Sequence, residues 1–276
     1  SIESFTACHE GEPTPFATHI CPYTDGETLV QRWDPVPVVF SIAEAIMGSY
    51  ITIMYIKRIS QVREWMWYKI FIVMSGISFG FSAVWTMHFV GMKALLLGNK
   101  RIHVSVDGGE PVEVYATVKL SFEGVLTIIS LVAAVIVVSV GVTLISLRDL
   151  KSEGFTWDTN EMRIAKVAVF MAVSVGIMHY LGMWAQTGKF DMEWSAGIIV
   201  ASVILALVVC YVGLKILFTK YIVQSVQNQM LTAVVIGLAV ASVHYTGMQA
   251  ATYKFKSTRR DTIFSVWVND FGSVYF

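Results

Sequence analysis

Apolar residues in this chain are gathered into six long stretches separated by shorter polar segments. The stretches cover about residues 36–56, 70–92, 122–147, 165–186, 195–218 and 230–251. Each stretch has about the 20 residues that an α-helix needs to cross the hydrocarbon core of a bilayer. None shows the polar–apolar alternation of a lipid-facing barrel strand. The pattern therefore predicts an all-α membrane protein whose six transmembrane helices form three helix hairpins.

The polar segments predict the orientation of the chain and one additional element. Residues 93–120 contain two alternating runs around Asp107-Gly108, and Asp-Gly is a turn signal, so we expect a small β-hairpin there. Lys and Arg are densest in the segments that the positive-inside rule then assigns to the cytosol. These segments are 57–69, 148–166 and 215–228. The β-hairpin and both termini are accordingly predicted to be extracellular, with the protein in the plasma membrane.

Three regions follow from this layout: an extracellular N-terminal tail at 1–35, a six-helix membrane domain at 36–252, and an extracellular C-terminal tail at 253–276. Cys8 and Cys21 lie in the first tail. A disulfide between them would fit an oxidising compartment, and two free thiols are the alternative.

Composition supports the membrane interpretation and excludes other classes. Lys and Arg number 20 and Asp and Glu number 20, and only 14% of residues are charged, against about 25% in soluble domains. The chain has no basic excess that would attract nucleic acid. We therefore expect a lipid bilayer as its environment and no nucleic-acid partner.

A hexapeptide recurs three times, each time near the end of an even-numbered apolar stretch. The copies are MHFVGM at 87–92, MHYLGM at 178–183 and VHYTGM at 243–248. Residues four apart share one helix face, so each copy presents an imidazole and a thioether side by side. The Gly before the last Met allows close helix approach. Three helices meeting at one level would bring together three His and up to five Met.

Such a cluster points to a soft metal ion. Imidazole and thioether are neutral ligands, so they add no charge to the membrane interior. Thioether favours Cu(I), and imidazole accepts both oxidation states of copper. Met is a poor ligand for zinc, and calcium and magnesium prefer oxygen. Copper is therefore the predicted cofactor, with haem held by His as an alternative. A packing role for His and Met without any metal also stays open.

The hexapeptides resemble the signature of the MHYT domain, an integral membrane domain named for this repeat. Nearby residues fit the same pattern: Gly80, Trp85, Gly176, Gly237 and Ser49-Tyr50. The resemblance covers about residues 36–252. It implies a sensor that holds copper near the outer face and detects O2, CO or NO. By position, the implied ligands are His88, Met92, His179, Met183, His244, Met248, Met87 and Met178.

The chain departs from the family pattern in ways that affect the expected output. Val243 stands where the motif has Met. Bacterial relatives typically continue through a seventh span into a cytosolic enzyme domain, whereas this layout resembles stand-alone eukaryotic members. We therefore expect the signal to leave through a membrane or cytosolic protein partner.

Other functions stay open at this stage. A structural or accessory subunit of a larger membrane complex is one alternative, and a copper-dependent oxidoreductase is another. We expect a sensor rather than an enzyme, because the sequence shows no flavin or haem attachment motif and no nucleophilic triad. Glu44, inside the first stretch, is a candidate for a hydrogen bond to a ligand His, for a proton path, or for snorkelling to the interface.

Overall fold

Six long apolar helices dominate the structure, a computed structural model that describes residues 4–6, 22–104, 112–146, 161–217, 225–258 and 265–266. Within these residues, all six helices are long and apolar enough to cross a membrane. They are α1 (Pro35–Ile59), α2 (Trp65–Lys93), α3 (Gly124–Ile145), α4 (Glu161–Trp184), α5 (Ala196–Leu217) and α6 (Val226–Met248). The prediction of an all-α membrane protein with six spans is confirmed.

Local sequence signals explain where several helices begin. Asp34 caps α1 by accepting the backbone N–H of Val36 at 2.9 Å, and Pro35 follows at a position where no N–H is needed. Glu123 caps α3 through the N–H of Leu126 at 2.7 Å. One irregularity lies in α2, whose segment Ile77–Thr86 is π-helical and ends immediately before Met87. Such wide turns are rare and are frequent at functional sites.

The helices form a closed ring in which each contacts its neighbours along the chain and α6 contacts α1. Glycines permit the closest approaches. A Cβ at Gly80 would meet the backbone of Ala134 in α3, and a Cβ at Gly237 would meet the backbone of Ile46 in α1. The even-numbered helices α2, α4 and α6 also touch one another near their C-terminal ends. The three hexapeptides therefore meet inside the ring.

Short strands cover one end of the bundle. They are β1 (Ser4–Thr6), β2 (Thr28–Leu29), β3 (Gln31–Trp33), β4 (Leu95–Leu97), β5 (Arg101–Val104), β6 (Val112–Thr117), β7 (Ser121–Glu123), β8 (Gln186–Thr187), β9 (Phe190–Trp194), β10 (Ala251–Phe255) and β11 (Ser265–Val266). The strand before each odd-numbered helix pairs with the strand after the next even-numbered helix: β3 with β4, β7 with β8, and β9 with β10. The helix pairs α1–α2, α3–α4 and α5–α6 are thus each closed by one strand pair.

The segment after α2 contains the strand pairing that its sequence predicts. β5 and β6 are antiparallel, with Arg101 opposite Tyr115 and Val104 opposite Val112. The Asp107-Gly108 turn lies outside the described residues. Cys8 and Cys21 also lie outside them, so their pairing stays a prediction.

Residues that the sequence assigns to the two tails contribute to a packed layer at this end. Tyr23, Leu29 and Tyr253 are buried in one core cluster together with residues of β4 and β6. β10 pairs on one edge with β2 and on the other with β9. These strands and their buried side chains, which we call the strand layer, cover the ends of the helices at which the hexapeptides finish.

Candidate metal centre

Three buried histidine rings meet at the centre of the helix ring. His88 of α2, His179 of α4 and His244 of α6 are 1%, 6% and 2% exposed. The Nδ1 of His88 lies 3.0 Å from the Nδ1 of His244 and 3.2 Å from the Nδ1 of His179. One ring nitrogen from each of the three lies within 4.8 Å of the others. Among the described residues, these three side chains form a group that is placed to share one metal ion. We call these three residues the His cluster.

Each ring of the His cluster also lies against a glycine of another copy of the motif. A Cβ built at Gly182 would collide with the Nε2 of His88, and one at Gly247 would collide with the Nε2 of His179. The same relation holds between Gly91 and His244. The contacts therefore run in a cycle through the three even-numbered helices. The motif glycine provides the space that a neighbouring imidazole occupies.

The hydrogen-bonding requirements of the rings fit a bound cation. A neutral imidazole carries a single hydrogen, so three facing Nδ1 atoms cannot all be paired with one another. If every hydrogen lies on Nε2, three lone pairs converge without a donor. A cation bound at the point where the three rings meet would accept all three lone pairs. Nitrogens bound at about 2.0 Å to one tetrahedral ion lie about 3.3 Å apart, close to the two Nδ1 distances here.

The outward nitrogens are the remaining polar atoms of the cluster. The Nε2 atoms of all three rings are buried and have no hydrogen-bond partner within the described part of the chain. They lie beside the glycine backbone of the adjacent copy. The rings are thus held by close packing on one side while their Nδ1 atoms face each other on the other.

The predicted methionines separate into two groups around the His cluster. Met92, Met183 and Met248 are 0% exposed and belong to one core cluster with the strand layer. Met87 directly precedes His88, and Met178 directly precedes His179. Both line a cavity on the side of the His cluster away from the strand layer, together with Val243 of the third copy. The structure therefore brings the three His together and places the predicted methionines in the core cluster on one side of them and along the cavity on the other.

Gln186 is a neighbour of this centre that the motif does not reveal. Its Nε2 donates to the sulfur of Met92 at 3.1 Å, and its Oε1 accepts from the hydroxyl of Tyr253 at 2.7 Å. Burial raises the pKa of the Tyr253 phenol, so this hydroxyl stays protonated and donates. One lone pair of the Met92 thioether is therefore engaged. The sequence signal for this residue was its polarity, three positions after Met183. The other two copies have Leu95 and Ala251 at the equivalent position.

The third residue of each hexapeptide connects the motif to a neighbouring element. The hydroxyl of Tyr180 is 2.6 Å from the Oγ of Ser202 in α5, and the hydroxyl of Tyr245 is 2.8 Å from the Oγ of Ser41 in α1. Phe89 instead packs edge-on against Phe122 of β7. These contacts fix the rotation of each even-numbered helix and hence the direction of its His.

Glu44 does not support a ligand histidine. Its Oε2 accepts a hydrogen bond from the hydroxyl of Ser82 at 3.2 Å, and the ring nitrogens of the His cluster face one another and the motif glycines. Of the three roles considered for Glu44, the hydrogen bond to a ligand His is therefore not the one that the structure shows. The carboxylate joins α1 to the π-helical segment of α2.

Comparison with known proteins supports this grouping of residues. The MHYT family, described as a bacterial signalling protein N-terminal repeat, matches residues 82–155 and 173–232. The two matches contain the first and second hexapeptides. The chain belongs to the MHYT family. The third MHYT hexapeptide, at 243–248, lies beyond the matched ranges, and the structure places its His beside the other two.

Two curated relatives of this MHYT protein are, by name, a signalling protein and a cyclic di-GMP enzyme. Signaling protein YkoW of Bacillus subtilis is 26% identical over 220 residues, covering 78% of this chain and 24% of the relative. Bifunctional diguanylate cyclase/cyclic di-GMP phosphodiesterase MucR of Pseudomonas aeruginosa is 26% identical over 238 residues, covering 83% of this chain and 29% of the relative. The chain thus spans less than a third of the length of either relative. No solved structure matches the chain.

Proposed function

We propose that this MHYT protein is a copper-binding membrane sensor that transmits a signal when a diatomic gas (O2, CO or NO) or a redox change reaches its metal. The observation that carries the proposal is the convergence of the Nδ1 atoms of His88, His179 and His244 at the centre of a six-helix ring. The name of the relative YkoW and the signalling description of the family support the second half of the proposal.

The donor set favours copper over other ions. The His cluster is buried among apolar helices, and within the described residues no carboxylate or thiolate joins its three nitrogens. Zinc sites commonly add such charged ligands, and magnesium and calcium need oxygen donors. Neutral imidazoles match Cu(I) and tolerate Cu(II), and the thioethers of the motif would add soft donors. A bound copper ion would supply a coordination position for a gas or an oxidant.

The surrounding residues explain how an event at the centre reaches the rest of the protein. His88, His179 and His244 belong to three different helices, and each ring is lodged against the motif glycine of another. A change in the separation of the rings therefore displaces helix ends relative to one another. A membrane or cytosolic protein partner would read that displacement.

Metal analysis tests the first half of the proposal. The full chain is purified beside a triple variant in which His88, His179 and His244 are changed to Gln, which removes the imidazoles but keeps polar side chains of similar length. His103→Gln, in strand β5, is the matched control. We expect about one copper per chain in the wild type and the control, and loss of copper from the triple variant. Equal copper in all three would contradict the proposal.

Ligand addition tests the second half. CO added to the reduced copper-loaded protein should give a bound C–O stretch in the infrared, and NO added to the oxidised form should change its EPR spectrum. Absence of any change with bound copper would argue against gas sensing. Turnover with an electron donor, abolished by His179→Gln, would favour the oxidoreductase instead.

A further inference from the structure

A cavity of about 90 Å³ adjoins the His cluster on the side away from the strand layer. All of its walls come from α2, α4, α5 and α6, and its surface is almost entirely apolar. Besides the three His, it is lined by side chains such as Phe79, Met171, Val175, Cys210 and Val240. Neither the sequence motif nor the metal proposal assigns a role to this space.

The cavity is elongated along the helices. The His cluster forms one end, and on α5 its lining runs from Ala206 to Leu217, a distance of about 16 Å at the rise of an α-helix. Gly213 contributes to its wall, and a Cβ added there would meet no atom within 4 Å. The space therefore extends from the His cluster toward the far end of the bundle.

The opposite side of the His cluster is closed. Met92, Met183 and Met248 are fully buried there, and Leu97, Ala116 and Tyr253 of the strand layer are 0% exposed as well. A molecule that reaches the rings from that side would have to pass through this packed core. The cavity is the more accessible approach, and it is only partly enclosed by protein.

The chemistry of the wall selects the occupant. Ordered water needs two to four polar partners. Beyond the end formed by the imidazoles, the described wall of the cavity offers none. An apolar cavity of about 150 Å³ in another protein stays dry and binds benzene or xenon. A somewhat smaller apolar space suits a smaller guest without charge or hydrogen-bonding groups. Such molecules partition into the hydrocarbon of the bilayer, which surrounds these helices.

We infer that this cavity is a binding site for a small, uncharged, apolar molecule, of the size of a diatomic gas, which enters from the membrane and is held against the His cluster. The link from the cavity to sensing rests on the proposed function. Occupation of the cavity itself does not require a metal. The inference can therefore be tested on the metal-free protein, where failure of copper binding has no influence.

Xenon is a suitable probe, detected by NMR of ¹³C-methyl methionine in the metal-free full chain. Met171 and Met178 line the cavity, whereas Met54 and Met230 are on the exterior of the bundle and report xenon dissolved in the detergent. Gly213→Leu fills the cavity from α5. Gly197→Leu is the matched control, because it lies on the same helix, outside the cavity, and also has free space around its Cβ.

We expect saturable xenon-induced shifts at Met171 and Met178 in the wild type and in Gly197→Leu, and a severalfold smaller effect in Gly213→Leu. If Gly213→Leu does not fold, Val240→Phe makes the same test from α6. Unsaturable shifts in the wild type, equal to those of Met54 and Met230, would overturn the inference. So would undiminished shifts in a folded cavity-filling variant. A lipid acyl chain in the cavity would exclude xenon and give the same negative result.

Discussion

The Nε2 of His88 occupies the space that a side chain at Gly182 would fill. This contact makes the glycine of one motif copy a requirement for the histidine of another. The same relation links His179 to Gly247 and His244 to Gly91. Histidine and glycine therefore act as one unit across helices, and the unit can be tested by substituting the glycine alone.

Gly182→Ala should displace the imidazole of His88 and weaken copper binding. Ala normally favours a helix over Gly by about 1 kcal/mol. Here the added methyl group would collide with His88, and overpacking of this kind costs about 1–3 kcal/mol. Thermal unfolding and copper titration, both in detergent, measure the two effects. Gly197→Ala is the control, because its Cβ would meet nothing within 4 Å. A Gly182→Ala protein with unchanged copper affinity would contradict the packing argument.

Val243→Met should strengthen Cu(I) binding by roughly tenfold, since a thioether is a soft ligand. Val243 lines the cavity beside His244, at the position that Met87 and Met178 hold in the other copies. Competition with a colourimetric Cu(I) chelator measures the change. The control is Val208→Met, which adds the same side chain to the exposed exterior of α5. Equal affinities in the two variants would show that this position does not reach the metal.

Tyr253→Phe should lower stability without changing copper content. The substitution leaves the Oε1 of buried Gln186 without its donor, and an unsatisfied buried polar group costs about 1–3 kcal/mol. Thermal unfolding of the metal-free protein measures this loss. Tyr115→Phe, which removes a hydroxyl of a partly exposed side chain in β6, should have little effect. Loss of copper from a folded Tyr253→Phe protein would place this hydroxyl in the metal site instead.

Glu27 should make a small, pH-dependent contribution to stability outside the membrane. Its carboxylate is 2.7 Å from the ammonium of Lys100, and this hydrogen bond lowers its pKa from 4.5. The folded protein thus binds the proton less tightly than the unfolded chain. The contribution is present above the unfolded pKa and disappears as the pH falls through the lower folded value. Unfolding midpoints of the wild type and Glu27→Gln should differ near neutral pH and converge as the pH falls below 4.5. A constant difference would rule out this ion pair as its source.

Hydropathy and the repeat predicted a large part of the architecture. The six spans depend on length and apolar content, which are local properties. The convergence of the hexapeptides follows from three copies at equivalent depth, and the structure brings His88, His179 and His244 together. The role of these residues as copper ligands stays a prediction.

The relations between helices were less accessible to sequence analysis. The motif glycines predicted close helix approach but not the imidazole that each one accommodates, because helical rotation depends on contacts such as Tyr245 with Ser41. The π-helical turns before Met87 and the strand pairs such as β9 with β10 depend on tertiary contacts. Short runs such as these carry little periodicity of their own.

X-ray absorption at the copper edge of the loaded full chain tests most directly whether one metal ion is shared by the three rings. If the three rings share one ion, we expect imidazole scattering from three nitrogens at about 2.0 Å. Changing His88, His179 or His244 singly to Gln should reduce that scattering, whereas His103→Gln should leave it intact. A spectrum with no imidazole contribution, or one that is unchanged in all three single variants, would contradict the central claim.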